Sequence, residues 1–280
     1  WGIYGIRDGV VTYGMMTAFL QLVGQVQRPL AELSRHVPAF IQAMSSEERL
    51  SELESLPALA LTDGPVLDEA PSLVFDNISF SYPGKSVPVF DGFSHTFNAG
   101  TLTVIMGSTG RGKSTLARLA MGLLRPGTGE VSFELADGRS SVAAIANFMY
   151  VPQGGSLLSG TVRENLTLAA PDADEDGMRH ALHIAAADFV YDLPDGLDTR
   201  CGESGSCLSE GQAQRIAIAR ALLHPGTVLI LDEATSALDS ATEVVLLERL
   251  ASEYRGSKTI LMITHRECAL TYADEILRLD

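Results

Sequence analysis

The stretch GSTGRGKST, Gly107 to Thr115, fits the pattern G-x-x-x-x-G-K-[ST] in full. Glycines let a backbone turn tightly and present its N–H groups to an anion, and a helix start directly after them adds the positive end of its dipole. That chemistry is phosphate binding. Ser108, Thr109, Gly110 and Arg111 form the cradle between Gly107 and Gly112, Lys113 reaches the β- and γ-phosphates, and the Ser114 hydroxyl suits Mg2+, with Thr115 beside it. A second candidate is TVLILDE, an apolar run that ends on two carboxylates. Asp232 suits holding Mg2+ through water, and Glu233 suits orienting and deprotonating a water that attacks the γ-phosphate. Two adjacent acids alone carry little. Beside a phosphate loop they point to nucleotide hydrolysis.

Three further places join these. Gln153 in YVPQ and His265 in MITH each end an apolar run; taken singly, each reads as an ordinary strand-to-loop residue, but from strands of the same sheet both can point at a γ-phosphate and its metal. Tyr82 in FSYPG is an aromatic before a turn, able to stack on a purine, although a core tyrosine is its ordinary reading. In CLSEGQAQRIAIARALL, Ser209 and Gln212 stand at capping-box spacing ahead of a run rich in Ile, Ala and Leu, so a helix begins there. Gly211 would let an anion approach the free N–H groups of that helix start. Glu210 intrudes with a like charge. At about 4 Å from a phosphate it would repel by roughly 4 kcal/mol at an effective dielectric near 20, and a helix-dipole contribution of about 0.3–1 kcal/mol does not offset this. Glu210 is expected to turn away and leave the contacts to Ser209 and Gly211.

The elements that must position these residues alternate short apolar runs with helical stretches. Strands are expected at 101–107, 147–153, 227–233 and 259–265, apolar on consecutive positions and hence buried on both faces, which implies an α/β domain with a largely parallel sheet. SLVFDNISFSY opens that domain as a strand with Val74, Ile78 and Phe80 on alternate positions. Upstream, an uncharged run from Gly9 to Gly24 falls just short of the ~20 residues that cross a bilayer. Its lack of charge, its small residues Gly14, Thr17 and Ala18, and the basic flank of Arg28 and Arg35 favour a membrane helix over a buried soluble one, with the flank on the cytosolic side. Helical spacing continues through Leu30, Leu33, Val37, Ile41 and Met44 into SSEERLSELESL, and the aperiodic segment from Pro57 to Pro71 reads as a linker.

Composition narrows the partners. The 35 acidic and 20 basic residues give a net charge of -15, which argues against non-specific nucleic-acid binding. Cys201, Cys207 and Cys268 cannot all pair and match no common zinc spacing, so they read as reduced packing residues of a cytosolic setting. The opening residues lack the basic stretch and short apolar core of a signal peptide.

Taken together, residues 73–280 resemble the nucleotide-binding domain of ATP-binding cassette (ABC) transporters. GSTGRGKST, YVPQ, LSEGQ, LILDE, SALD and ITH occur in the family's order, and LSEGQ is similar to its LSGGQ signature. The resemblance implies an α/β P-loop NTPase nucleotide-binding domain with a helical signature subdomain, preceded by a long N-terminal helix. It makes Tyr82 the adenine-stacking aromatic, Gln153 the Mg2+- and water-sensing glutamine, Glu233 the catalytic base and His265 the switch histidine that contacts the γ-phosphate, with Lys113 beside them. Asp239 in SALD would sit at the subunit boundary, and Glu203 in CGESG would touch the coupling helices.

In this family two nucleotide-binding domains pair head to tail, so the resemblance places ATP between the phosphate loop of one and Ser209, Gly211 and Gln212 of the other, in a homo- or heterodimer. Residues 1–56 are similar to the end of an exporter's transmembrane domain, 57–72 to its linker and 73–280 to its cassette. The implied whole is the ATP-hydrolysing motor of a membrane exporter, using ATP and Mg2+, with transmembrane domains as partners and this domain on the cytoplasmic side of the cell membrane. The transported substrate is not written in these residues. At the other end the sequence stops at EILRLD, so the family's final strand and helices are expected to fall outside it. Two rival classes fit fewer features. A soluble cassette ATPase would lack the oily first helix and CGESG, and a binding-only module conflicts with intact Lys113, Glu233 and His265.

Overall fold

The computed structural model describes residues 2–7, 9–10, 12–55, 64–138, 140–154, 157–201 and 208–279. The chain divides into two units, residues 1–59 and 60–280. In the first, α1 (Gly2–Arg7) is followed by α2 (Tyr13–Glu54), a helix of 42 residues and about 63 Å at 1.5 Å per residue. The uncharged run does not form one continuous helix. Gly9 adopts a left-handed φ of 75°, and Thr12 caps α2 by accepting a hydrogen bond from the Met15 N–H at 3.2 Å. The charge-free start of α2, from Tyr13 to Gln27, then reaches about 22 Å against a hydrocarbon core of ~30 Å. It also carries Gln21, Gln25 and Gln27. Among the described residues, no helix is long and apolar enough to cross a membrane. Apolar side chains along α2, including Leu20, Val26, Leu30, Phe40 and Ile41, are exposed, surface of the kind that meets a partner or lipid.

The second unit opens with β1 (Ser72–Phe80) and β2 (Phe90–Phe97), then β3 (Leu102–Gly107) and α3 (Lys113–Ala120). β4 (Thr128–Glu134), β5 (Ser140–Val142), β6 (Phe148–Val151), β7 (Gly160–Thr161), α4 (Val162–Thr167), α5 (Glu175–Ile184) and β8 (Arg200–Cys201) follow. The chain continues through α6 (Glu210–Leu222), β9 (Val228–Asp232), α7 (Ser240–Tyr254), β10 (Thr259–Ile263) and β11 (Glu275–Leu279). The central sheet is parallel, in the order β11-β3-β10-β9-β6, and an antiparallel sheet β2-β1-β4-β5 lies beside it. Consecutive apolar residues of the central strands feed two cores. Val104, Leu229, Leu231, Ile260 and Met262 join the one built with α4 to α7, whereas Ile105, Val228, Ile230, Leu261 and Ile263 join the one built with α3 and the antiparallel sheet. All four expected strands are present, each a little shorter than the apolar run that announced it.

One expectation changes here. Val74 does not share a face with Ile78 and Phe80: Leu73 and Phe75 are the buried residues ahead of a bulge at Asp76–Asn77, which, with Asn77 at φ 50°, shifts the alternation by one. EILRL forms β11, the edge strand, and its Leu279 lies opposite Gly107 at the end of β3. Near the start of this unit, the buried Asn147 side chain accepts from the Leu67 N–H at 2.7 Å and donates to the Pro65 carbonyl at 3.0 Å, which fastens the segment before β1 to the start of β6.

Candidate functional site

Parallel register brings the chemistry to one edge. Val151 lies opposite Leu231, Asp232 opposite Ile263, and Ile263 opposite Ile105. Gln153, Glu233, His265 and the Gly107 loop therefore leave the sheet side by side at its carboxyl end, where ligands bind in open α/β folds. They border a cleft of about 790 Å³ that also takes in Tyr82, Val87 and residues Thr109 to Thr115.

The loop itself is built for close approach. Gly112, the N-cap of α3, has φ 90°, and a Cβ there would stand 2.6 Å from Val89 Cγ1. Lys113 opens α3 and is buried, and its Nζ donates to the Gly107 and Ser108 carbonyls at 2.7 and 3.0 Å. Two of its three N–H bonds are thus used, and the third is open to a phosphate. Arg111 folds back on the loop, its Nε donating to Ser108 Oγ at 3.3 Å. Tyr82 is half-buried, edge-on to Phe80 at 5.0 Å between centroids, with its hydroxyl 3.1 Å from Thr115 Oγ1.

Ser114 Oγ donates to Asp232 Oδ1 at 3.1 Å, and the Tyr150 hydroxyl donates to Oδ2 at 3.3 Å. Burial pushes the Asp232 carboxyl above the usual carboxylate range, and these two hydrogen bonds act against that push. Burial, with the Asp232 charge next, pushes the Tyr150 phenol up to about 12. A buried carboxylate beside a serine hydroxyl is an all-oxygen donor set of the kind a hard divalent cation takes, and a cation relieves the cost of the buried charge. Sequence reasoning missed Tyr150. Its signal was a phenol within a strand where Met149 and Val151 face the opposite core, since a buried Tyr O–H seeks a partner.

Glu233 sits in the left-handed region at φ 50°, a strain of roughly 1–2 kcal/mol for a residue with a Cβ. Its Oε2 accepts from the Gln153 amide at 2.7 Å, and its Oε1 lies 3.2 Å from His265 Nε2. The Gln153 amide thus faces Glu233 rather than the Ser114–Asp232 pair.

Ser209, Gly211 and Gln212 do not line this cleft. Ser209 and Gln212 form the expected capping box at 3.2 and 2.9 Å, and Glu210 is exposed in the first turn of α6. Gly211 serves its own chain as well: a Cβ there would stand 2.8 Å from the Ala237 carbonyl oxygen. Next to it the buried Gln214 donates to Ser236 Oγ at 3.2 Å and accepts from the Ala237 N–H at 3.1 Å. The loop after β9 is therefore fastened to α6. Asp239 caps α7 through Ala241 and Thr242, whose hydrogen bonds hold its carboxyl below the usual range. Glu203 and Cys207 lie outside the described residues.

Comparison with known proteins bears on the same residues. The family described as ABC transporter matches residues 90–236, more than half of the chain, from the start of β2 to the loop after Glu233. The chain belongs to the ABC transporter family. It carries the family's ATP-hydrolysing, nucleotide-binding domain. The mycobactin import ATP-binding/permease protein IrtB of Mycobacterium tuberculosis is 35% identical over 97% of this chain and 48% of its own length. The alpha-hemolysin translocation ATP-binding protein HlyB of Escherichia coli is 34% identical over 99% of this chain and 40% of its own. A solved bacterial Atm1-family ABC exporter with ATP bound superposes with a TM-score of 0.73 at 31% identity, covering 100% of this chain and 50% of that one. This ABC transporter chain spans about half the length of such relatives.

Proposed function

We propose that the chain is the ATP-driven motor of a membrane exporter, working as one of two paired nucleotide-binding domains. The observation that carries the hydrolytic reading is Glu233, held at φ 50° between the Gln153 amide and the His265 imidazole at the mouth of the phosphate loop. ATP lies in the cleft with its adenine on Tyr82 and its phosphates against the N–H groups of Ser108 to Thr115 and the Lys113 ammonium. Ser114 and Asp232 would hold Mg2+, while Gln153 stays on Glu233. Bound there, Mg2+ would supply positive charge to offset that of the phosphates.

Glu233 takes a proton from the attacking water, whose oxygen forms a bond to the γ-phosphorus while the bond to the β-phosphate oxygen breaks and its electron pair leaves with ADP. His265, on the far side of Glu233 from Gln153, contacts the γ-phosphate. Ser209, Gly211 and Gln212 cap the ATP held by the second subunit, which fits their place away from the chain's own cleft. Residues 1–56 are the end of the transmembrane domain and its cytosolic extension, 57–72 the linker and 73–280 the cassette, on the cytoplasmic side of the cell membrane. The exposed apolar length of α2 supports packing against further helices.

The test is Glu233→Gln. The amide keeps the contacts to Gln153 and His265 but cannot accept the proton, so MgATP binds as in the wild type while turnover falls on the order of 10²–10⁴-fold. Paired, ATP-loaded protein then accumulates on chromatography. Turnover near the wild-type rate would remove Glu233 from the base role.

A further inference from the structure

Glu243, in the first turn of α7, does not line the cleft and is 0% exposed. Its Oε1 accepts from the Thr235 hydroxyl at 2.6 Å, and its Oε2 takes the Arg266 guanidinium at 2.8 Å and the Cys268 thiol at 3.0 Å. Thr235 lies two residues after Glu233. Arg266 follows His265 directly, and its second Nη donates to the Ser236 carbonyl at 2.9 Å while its N–H donates to Thr264 Oγ1 at 3.1 Å. Ser236 is in turn bonded to Gln214 of α6 at 3.2 Å. One buried carboxylate therefore joins the loop that carries Glu233, the loop that carries His265 and, one bond further, the helix capped by Ser209.

A charge in this position is a poor means of stabilising the fold, because apolar side chains of similar volume commonly replace a buried ion pair at no loss. What the pair supplies and an apolar residue cannot is direction. Its hydrogen bonds fix where Thr235, Ser236 and Arg266 stand relative to one another, and Glu233 and His265 are their chain neighbours. We propose that Glu243 is a positioning residue for hydrolysis. Through Thr235, Ser236 and Arg266 it sets the spacing of the Glu233 carboxylate and the His265 imidazole, and through Ser236 and Gln214 it ties that spacing to α6. The inference rests on the reading of Glu233 and His265 as the hydrolytic pair.

The experiment compares steady-state ATPase kinetics, ATP affinity and thermal unfolding in the full-length protein for Glu243→Gln, the double variant Glu243→Leu with Arg266→Met, and the control Glu233→Gln. The double variant removes both charges together, so ATP affinity is unchanged and Tm falls only by the few degrees that the orphaned Thr235 hydroxyl costs. Its kcat falls on the order of 10²-fold, the scale expected of a misplacement of about 1 Å at a reacting centre. Glu243→Gln retains an acceptor for Arg266 but loses the charge-assisted bond, and its kcat falls about tenfold with KM unchanged. A double variant that turns over at the wild-type rate overturns the inference. If that variant does not fold, the Gln variant decides: unchanged kcat overturns it, and a fall in kcat at constant KM and Tm upholds it. Full turnover by Glu233→Gln would instead sink the hydrolytic reading, so the two failures are told apart.

Discussion

Replacing Gly211 by alanine separates the packing of its own chain, against the Ala237 carbonyl, from the approach of an anion proposed for the glycine in LSEGQ. A Cβ at this position stands 2.8 Å from the Ala237 carbonyl oxygen, about 0.6 Å inside an ordinary contact. Ala237 cannot give way freely, since its N–H is bonded to the buried Gln214, which also holds Ser236. Overpacking of this kind costs about 1–3 kcal/mol, and the better helix propensity of alanine offsets about 1 kcal/mol of it. The net loss is about 1 kcal/mol, or a fall of roughly 2–4 °C in Tm for a unit of this size. Thermal unfolding without nucleotide is the appropriate assay, because a contact to phosphate is then silent and packing alone is read. A Tm at or above that of the wild type would refute the reasoning, for it would mean that Ala237 moves at no cost and that Gly211 serves only the approach of the anion.

Tyr82→Ala weakens ATP binding by roughly 1–3 kcal/mol through lost stacking, whereas Tyr82→Phe keeps the ring and loses only the hydroxyl contact to Thr115, at about 0.5–1.5 kcal/mol of stability. Titration with ATP and with inorganic triphosphate checks this, and an equal loss for both ligands would remove Tyr82 from the adenine. Asp232 carries a pH signature. Its carboxyl is raised in the folded protein, so the empty site loses stability as pH rises from the unfolded carboxylate value, about 3.9, through the raised one; the charged form is what burial penalises. A cation at that carboxylate reverses the penalty, so the gain in Tm from Mg2+ with ADP grows as pH rises through the raised value, and Asp232→Asn lessens that growth. A gain that ignores pH in the wild-type protein would count against Asp232 as the metal-binding carboxylate.

Much of this architecture was legible because its signals are local. Consecutive apolar runs announced strands buried on both faces, and the polar residue ending each run marked the sheet edge where Gln153, Asp232, Glu233 and His265 now stand. The capping box at Ser209 was legible for the same reason, being a contact between residues three apart. What escaped was whatever depends on partners distant in the chain or on a change of phase. The bulge at Asn77 inverted the faces of Leu73 and Val74 without leaving a mark in the apolar pattern. Tyr150 reaches Asp232 across 82 residues, and Glu243 meets Arg266 from a neighbouring loop that only the β9–β10 register brings close. Gly211 was read as an opening for a ligand because no property of the sequence reveals that the Ala237 carbonyl lies behind it.

The clasp at Asn147 has a mechanical meaning. The same residue holds the chain at Pro65 and Leu67, stands at the head of β6, and through its own carbonyl receives the Thr227 N–H just ahead of β9. A tug on the chain upstream of Pro65 is therefore not absorbed by slack ahead of β1. It arrives at the near ends of two adjacent parallel strands, whose far ends lead to Gln153 and Glu233. Parallel strands bonded side by side share such a load over all their rungs, and the rungs joining β6 to β9 run from the clasp towards the end of the cleft lined by Gln153 and Glu233.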